Sequence, residues 1–256
     1  MKVDGSVVVI TGGASGLGKG VAQTLVAKGA RVVILDLPQS EGKDISDSLG
    51  NSTIFYPCDV TDSEQVKTVV DDIYQTQSRI DVLVSCAGIS IGQRMISREG
   101  EIHSLEHFRR HVEVNLVGLF DVVRHATFAM SRNEPSEEGE KGLVVNIASI
   151  AGMEGQIGQV SYGASKAGVI GLTLPLARDL ARDGIRVMTV CPGTMDTPML
   201  ATLNEEQIAS IVAGNIFPQR LGTPADLAEL VTHLMENTFL NGEVIRFDAG
   251  LRLGPR

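Results

Sequence analysis

The chain has 256 residues, of which 43% are hydrophobic, and it carries a net charge of −9 with a pI near 5.1. This acidic balance argues against a broad nucleic-acid-binding face, and no apolar run approaches the ~18 residues of a membrane span. The size and composition suit one large α/β domain over residues 1–256. The first predicted strand begins about five residues after Met1, too early for a signal peptide to precede it.

The three cysteines lie far apart, at Cys58, Cys86 and Cys191. They are odd in number and lack the spacing of metal ligands, so we expect free thiols in a reducing compartment. Small buried apolar side chains are the simplest interpretation of all three.

The first apolar run, Ser6 to Thr11, has strand length and should be buried on both faces. It leads into a turn with Gly12, Gly16 and Gly18, and a helix follows that should end at Gly29. Gly12 permits the tight turn, Gly16 lets a pyrophosphate approach the backbone, and Gly18 lets helix and strand pack closely. A strand, a glycine-rich turn and a helix in this order predict a dinucleotide site.

The second apolar run, Val32 to Leu35, ends at Asp36. In a dinucleotide fold an acid at this point accepts hydrogen bonds from the adenosine ribose and repels a 2′-phosphate. Neither Leu37 nor Pro38 is basic, so the sequence predicts NAD rather than NADP.

Two further strands are predicted, and each is followed by polar or small residues. Thr53–Tyr56 precedes Cys58-Asp59-Val60 and a helix over about 63–77, capped by Thr61 or Asp62. Asp81–Ser85 precedes Cys86-Ala87-Gly88, where small residues let the backbone lie against a ligand. Residues 90–104 lack periodicity and are predicted to form a long loop.

A long helix is predicted from about Leu105 to Met130. It places Asn115 among apolar residues, where the amide needs hydrogen-bond partners. Taken alone, a satisfied core amide is the favoured interpretation of this residue and a functional one is the alternative. Three histidines lie at i, i+4 and i+8, at His103, His107 and His111, and we interpret them as a solvated helix face and predict no metal site. Residues 133–142 are predicted to form an acidic surface loop.

The pair Tyr162 and Lys166 stands four residues apart in a predicted helix, so both side chains share one face. A lysine there would favour the phenolate form of the tyrosine. Ser149 follows the apolar run that ends at Ile147, which places its hydroxyl at the carboxyl end of a buried strand. Open α/β sheets have their sites at that edge.

The last part of the chain continues the alternation of strands and helices. Strands are predicted at 186–190 and 243–247, with a helix over 223–235 opened by Thr223 and Pro224. Pro175 should kink the preceding helix or be absorbed by local 3₁₀ geometry. Residues 194–220 are long enough to act as a lid. Seven strands interleaved with helices predict a single-domain, doubly wound parallel sheet of the Rossmann type.

With these motifs in order, the chain resembles the classical short-chain dehydrogenases/reductases over essentially its whole length. The resemblance implies Ser149, Tyr162, Lys166 and Asn115 as catalytic residues, with Asn115 holding a water in a proton relay. It implies adenine contacts from Asp59 and Val60 and a nicotinamide contact from Thr197. The full cofactor-binding set is predicted to be Gly12, Ser15, Gly16, Leu17, Gly18, Asp36, Asp59, Val60, Cys86, Ala87, Gly88, Tyr162, Lys166, Pro192, Gly193, Met195 and Thr197. One departure is Cys86, where the family often has asparagine.

Longer stretches resemble the type 2 3-hydroxyacyl-CoA dehydrogenase subfamily, among them Val84–Ile89, Glu154–Gln159, Thr173–Leu180 and Phe239–Arg246. This resemblance implies an NAD-dependent homotetramer that oxidises the 3-hydroxyl of short (S)-3-hydroxyacyl-CoA thioesters and tolerates some hydroxysteroids. Substrate contacts are then expected from Ser149, Gln156 and Tyr162. Asp196 departs from the subfamily's small residue at that lid position, which bears on substrate range.

The chemistry that the resemblance implies is reversible hydride transfer between a secondary alcohol and NAD. Tyr162 would act as acid and base, Lys166 would lower its pKa, and Ser149 would hold the substrate oxygen. A hydroxysteroid or other secondary-alcohol dehydrogenase is the alternative within the family. A non-catalytic NAD sensor, or an epimerase or dehydratase with the same Tyr/Lys pair, are alternatives outside it. A cytoplasmic location is expected, with a mitochondrial one left open.

Overall fold

The computed structural model describes residues 1–200 and 204–255. Seven parallel strands form one sheet in the order β3-β2-β1-β4-β5-β6-β7. The strands span Val7–Thr11 (β1), Arg31–Asp36 (β2), Thr53–Pro57 (β3), Val82–Ser85 (β4), Gly142–Ile147 (β5), Ile185–Pro192 (β6) and Val244–Phe247 (β7). The α-helices span Gly16–Ala27 (α1), Gly42–Leu49 (α2), Ser63–Gln77 (α3), Leu105–Val112 (α4), Leu119–Met130 (α5), Val160–Asp179 (α6), Glu205–Ala213 (α7) and Pro224–Glu236 (α8). The predicted fold class and the seven strands are confirmed.

The sheet separates two apolar cores. Val7 and Val9 of β1 point to the face covered by α3, α5 and α6, whereas Val8 and Ile10 point to the face covered by α1 and α8. Successive side chains of a strand alternate between faces, so a continuously apolar strand serves both cores. This explains why the strands read as unbroken apolar runs.

The predicted long helix over 105–130 is interrupted by a π-helical turn at Glu113–Gly118, between α4 and α5. Helix α2 was not predicted, because Ile45 is the one large apolar side chain that this short helix buries. Pro175 lies inside α6 and does not end it. Both Pro175 and Gly171, four residues earlier, face outwards, so water can solvate the carbonyl that proline leaves without a donor.

The prediction that residues 133–142 form a solvated acidic loop is wrong at the two ends of the segment. Asn133 is buried and donates to the carbonyl oxygens of Ile80 and Lys141 at 2.6 and 2.9 Å. The Glu140 carboxylate pairs with the buried guanidinium of Arg186 at 2.7 Å. The ends of the loop therefore anchor β5 and β6, while its middle is exposed.

The predicted solvated histidine face is also wrong. His111 is fully buried, and its Nε2 accepts the Ile91 N–H at 3.1 Å. His103 and His107 both approach the hydroxyl of Ser161, at 3.0 and 3.4 Å. Helix α4 packs on α6, so His107 and His111 face protein rather than water, whereas His103 precedes the helix.

Within residues 1–200 and 204–255, no group of three or more His, Cys, Asp or Glu side chains is arranged to hold a metal ion. Within the same residues no helix has both the length and the apolarity needed to cross a membrane.

Candidate active site

A crevice opens at the carboxyl edge of the sheet, where the strand order reverses between β1 and β4. Such a switch point is the usual ligand position in open α/β sheets. Gly12 and Gly16 have φ values of +66° and +48°, which side chains rarely adopt. A Cβ on Gly12 would lie 2.8 Å from the Ala87 nitrogen, and one on Gly18 would lie 2.2 Å from the Gly12 oxygen. Backbone packing between β1, α1 and the end of β4 therefore requires Gly12 and Gly18, and the positive φ requires glycine at position 16.

Asp36 ends β2 and holds the glycine turn in place. Its carboxylate accepts the N–H of Ala14 at 3.0 Å and the N–H of Leu37 at 2.8 Å. A carboxylate can accept about four hydrogen bonds, so acceptor capacity remains for ribose hydroxyls. The sequence did not indicate this second, structural role.

The crevice is a cavity of about 770 Å³ that runs from Asp36 to the far side of Tyr162. Every predicted site residue except Asn115 lines it, namely Gly12, Ser15, Gly16, Leu17, Gly18, Asp36, Asp59, Val60, Cys86, Ala87, Gly88, Ser149, Gln156, Tyr162, Lys166, Pro192, Gly193, Met195 and Thr197. Residues from six separate parts of the chain are thus brought to one cavity.

The residues present fit NAD. Helix α1 begins at Gly16 with no acidic side chain in its first turn, so its free N–H groups face the cavity with a favourable dipole for a pyrophosphate. Asp36 lies beside the position that an adenosine ribose would take, and Asp59 and Val60 line the same end of the cavity. The opposite end holds Ser149, Tyr162 and Lys166.

Ser149, Tyr162 and Lys166 converge beyond the carboxyl end of β5. The Ser149 hydroxyl accepts the N–H of Ala151 at 3.1 Å, which orients it at the start of a 3₁₀ turn. Lys166 is buried, and its Nζ donates to the Ile147 carbonyl at 2.9 Å. The same Nζ lies 5.9 Å from the centre of the Tyr162 ring.

The protonation energetics of this pair differ from the prediction. Burial raises the pKa of Tyr162, and the neighbouring Ser149 hydroxyl opposes that rise. Burial lowers the pKa of Lys166 to about 8, against the opposing effect of Cys86 and Cys191. The expected lowering of the Tyr162 pKa by Lys166 is not the outcome in this structure, because burial, which disfavours the charged form, is the largest influence on both groups.

Asn115 lies behind the cavity in the π-helical turn. Its amide donates to the Ile89 carbonyl at 2.9 Å and to Ser165 Oγ at 3.0 Å, and its Oδ1 accepts the Ile89 N–H at 2.8 Å. The side chain is therefore a satisfied core amide that ties the end of β4 to α6. A Cβ added at Gly88 would lie 3.1 Å from Asn115 Oδ1 and 3.4 Å from Lys166 Nζ, so these two groups share one neighbour.

The outer part of the cavity includes residues that sequence reasoning missed. Arg110 and Val114 come from α4 and the π-helical turn, and residues 251–254 follow β7. No periodic pattern marks them, since they reach the cavity through contacts between distant parts of the chain. The predicted lid contains a 3₁₀ turn at Pro198–Leu200 and α7, and its residues 201–203 lie outside the described residues.

The profile of the short chain dehydrogenase family matches residues 6–208. The chain belongs to the short-chain dehydrogenase family. It is an NAD-dependent oxidoreductase that acts on a secondary alcohol.

Named relatives narrow the comparison. The chain is 48% identical to human 3-hydroxyacyl-CoA dehydrogenase type-2 over 99% of its length and 97% of that protein, and 44% identical to the Drosophila melanogaster enzyme of the same name over 99% of its length and 100% of that protein. It is 34% identical to ipsdienol dehydrogenase of Ips pini over 98% of its length and 99% of that protein. A crystal structure of 3-hydroxyacyl-CoA dehydrogenase type-2 from Mycobacterium avium superposes with a TM-score of 0.93 at 41% identity and covers 98% of both chains.

Proposed function

We propose that the protein interconverts (S)-3-hydroxyacyl-CoA and 3-oxoacyl-CoA with NAD as the hydride carrier. The observation that carries this proposal is the convergence of Ser149, Tyr162 and Lys166 at one end of a cavity whose other end fits NAD. The identity to relatives named 3-hydroxyacyl-CoA dehydrogenase type-2, over nearly the full chain, supports the choice of substrate.

The proposed mechanism assigns proton handling to the chain. When bound, NAD supplies a hydride-accepting ring that carries positive charge. Tyr162 Oη takes the proton of the substrate hydroxyl in oxidation and returns it in reduction, while Ser149 donates a hydrogen bond to the substrate oxygen. Lys166 holds a positive charge beneath Tyr162 and favours the phenolate.

Because Lys166 has a pKa of about 8, it is mostly protonated at neutral pH. Burial raises the pKa of Tyr162, so this tyrosine reaches the phenolate near neutral pH only in the more positive environment that the nicotinamide ring completes. Asn115 is proposed to carry a proton relay through a water, in addition to its structural bonds.

Positive charges at the outer end of the cavity support an anionic substrate. Arg110 lines the main cavity. A second cavity of about 600 Å³ is lined by Arg94, Arg98 and residues 157–158. The two residues that flank 157–158, Gln156 and Gln159, line the first cavity, so the two cavities are neighbours. Phosphate groups of CoA would meet these guanidinium groups, whereas a hydroxysteroid has no anion to place there.

We further propose that the active protein is a homotetramer. One face of α5 and the preceding turn exposes Val117, Phe120 and Phe128, the last with 63% of its surface accessible. Leu174 of α6 is exposed on the same side of the sheet. An apolar helix face of this kind fits a self-complementary contact with a second copy. The free cysteines are compatible with a reducing compartment, and a cytoplasmic location stays a prediction.

An assay with three different substrates tests the proposed reaction. Purified protein is given NADH with acetoacetyl-CoA, a ketosteroid or a 3-oxoacyl ester that lacks CoA, and NADH consumption is followed by absorbance. We expect fast consumption only with the CoA thioester. Equal or faster reaction with the steroid or the ester would refute the acyl-CoA assignment and leave the class of reaction intact.

Tyr162→Phe tests the role of the hydroxyl. We expect turnover to fall by about a hundredfold to ten-thousandfold, the range that a proton donor in the transition state contributes, while the affinity for NADH stays within about twofold. Tyr74→Phe is the matched control, because that hydroxyl lies outside the cavity and makes one exposed contact of 3.4 Å. Equal loss of NADH affinity in Tyr162→Phe would mark a structural residue instead.

A further inference from the structure

Residues 251–254 form one wall of the cavity and follow a sharp turn after β7. Ala249 and Gly250 have φ values of +54° and +77°, a left-handed conformation that reverses the chain. The Gly250 N–H donates to Asp248 Oδ1 at 3.1 Å. The turn sends the segment back over the substrate end of the site.

Arg246, in β7, holds this segment by several bonds. Its Nε donates to Asp248 Oδ2 at 2.5 Å and its Nη2 to the Leu251 carbonyl at 2.6 Å. The same Nη2 also pairs with Glu154. The side chains of Arg246 and Glu154 are 20% and 28% exposed and that of Asp248 is 6% exposed, so the cluster is better protected from solvent than an ordinary surface pair.

Glu154 joins the cluster from the loop between Ser149 and Tyr162. Its Oε1 accepts the Leu253 N–H at 2.8 Å as well as the Arg246 guanidinium. Along the same loop, Gln156 Nε2 donates to the Gly254 carbonyl at 3.2 Å, and the Ile157 N–H donates to the Pro255 carbonyl at 3.1 Å. The loop that leads into α6 and residues 251–255 therefore lie against each other as one unit.

The turn also reaches the predicted lid. The Ala249 carbonyl accepts the N–H groups of Ile216 and Phe217 at 3.0 and 3.2 Å. A Cβ at Gly214 would lie 2.8 Å from Leu251 Cδ1. Two substrate-side segments, the 150–159 loop and residues 214–217, thus both contact residues 248–255.

We propose that Arg246 is a positioning residue that sets substrate fit. By pairing with Glu154 and Asp248 it fixes residues 251–254 against the 150–159 loop, and so fixes the wall that the acyl part of the substrate touches. Arg246 does not hold the reacting oxygen or the cofactor, so its effect falls on substrate affinity and chain-length preference rather than on hydride transfer. This inference rests on the proposed function for the identity of the substrate.

The test compares Arg246→Met, Arg246→Lys and Glu154→Ala with the unmodified protein. Arg246→Lys keeps the charge without the planar fork. Glu154→Ala breaks the contact from the loop side and leaves the Arg246–Asp248 pair, so the test does not depend on one variant folding. Arg182→Met is the matched control, since Arg182 is 90% exposed and pairs with Asp183 at 3.8 Å.

KM and kcat are measured with 3-oxoacyl-CoA thioesters of increasing chain length, together with the Kd for NADH. In Arg246→Met and Glu154→Ala we expect KM to rise by roughly tenfold. The ratio of kcat/KM between long-chain and short-chain substrates should also change by roughly tenfold, because one methylene more or less in an apolar pocket changes kcat/KM by about that factor. The values of kcat and the NADH Kd should stay within about twofold, and Arg246→Lys should fall in between. Unchanged KM, or equal losses in kcat and NADH affinity, would overturn the proposal.

Amide hydrogen exchange separates this inference from the proposed reaction. The Leu253 and Ile157 N–H groups should exchange at least about tenfold faster in Arg246→Met, with β5 amides unchanged. If the unmodified protein does not reduce acyl-CoA, the reaction proposal fails, while the exchange of these two amides still decides whether Arg246 fixes the wall. Exchange equal to the unmodified protein would overturn it.

Discussion

At the scale of single residues, burial changes what the Tyr162 and Lys166 pair does. The spacing predicts that they share a helix face, and α6 places them so. The pKa directions depend on how completely the surrounding protein excludes water, which no local pattern records. Burial destabilises the charged form of Lys166, and strongly perturbed pKa values of this kind cluster at functional sites.

This leads to a prediction for Lys166→Met. The fall in the Lys166 pKa from 10.5 to about 8 corresponds to about 3 kcal/mol of unfavourable free energy at neutral pH. Because the folded pKa is lowered, the unfolded chain binds the extra proton between pH 8 and 10.5, so this penalty is complete below pH 8 and disappears as pH rises through that window. We therefore expect Lys166→Met to unfold at higher urea concentration than the unmodified protein at pH 7, with catalysis lost.

Urea unfolding at pH 7 and again near pH 10 measures the difference in free energy of unfolding between the variant and the unmodified protein. We expect that difference to shrink at the higher pH. Lys43→Met is the control, since Lys43 is 70% exposed. A variant that is less stable at both pH values would show that the bond from Lys166 Nζ to the Ile147 carbonyl outweighs the cost of burying the charge.

At the scale of elements, the π-helical turn is a local departure from the α-helix that serves a long-range contact. An extra residue in the turn lets Asn115 satisfy both backbone groups of Ile89. The sequence indicated that the amide needs partners, whereas the partners themselves come from the end of β4. Such π-helical turns are frequent at functional sites.

We predict that Asn115→Ala loses about 2–4 kcal/mol of stability, because the Ile89 N–H and carbonyl are left without their partners in a poorly solvated place. If Asn115 also carries the proton relay, kcat should fall by about a hundredfold or more in the folded variant. Urea unfolding and steady-state kinetics measure the two effects. Asn204→Ala, which removes an exposed helix cap, should cost about 1 kcal/mol. A stability loss in Asn115→Ala with unchanged kcat would contradict the relay.

At the scale of the whole molecule, most of the buried apolar side chains belong to the two cores on either side of the sheet, whereas an apolar face of α5 and the preceding turn is exposed. Val117, Phe120 and Phe128 lie on that face. Burying a phenylalanine side chain stabilises by about 2 kcal/mol, and a two-fold symmetric contact counts each residue twice. Burying this face between two copies would therefore contribute enough free energy to stabilise an assembly.

We predict that Phe128→Lys reduces the tetramer to a smaller assembly at micromolar concentration. The lost burial, counted twice, is about 4 kcal/mol, or roughly a thousandfold in Kd. Sedimentation velocity measures the change. Ile54→Lys is the control, since Ile54 is 38% exposed on the edge strand β3. A monomeric unmodified protein, or a tetramer that survives Phe128→Lys, would contradict the proposed interface.

The sequence by itself determined the doubly wound fold, the glycine turn and the residues that meet at the sheet edge. The fold, the glycine turn, Asp36, Ser149 and the Tyr162–Lys166 spacing follow from local rules, because apolar runs, glycine positions and strand ends are read within a few residues. The remaining site residues, Thr197 among them, were implied by the family resemblance. The tertiary structure decided the buried histidine face, the Glu140–Arg186 pair and the cavity wall at 251–254. It also decided the directions in which the pKa values of Tyr162 and Lys166 move. Each of these depends on which distant segments exclude water from a side chain, and packing between remote parts of the chain sets that.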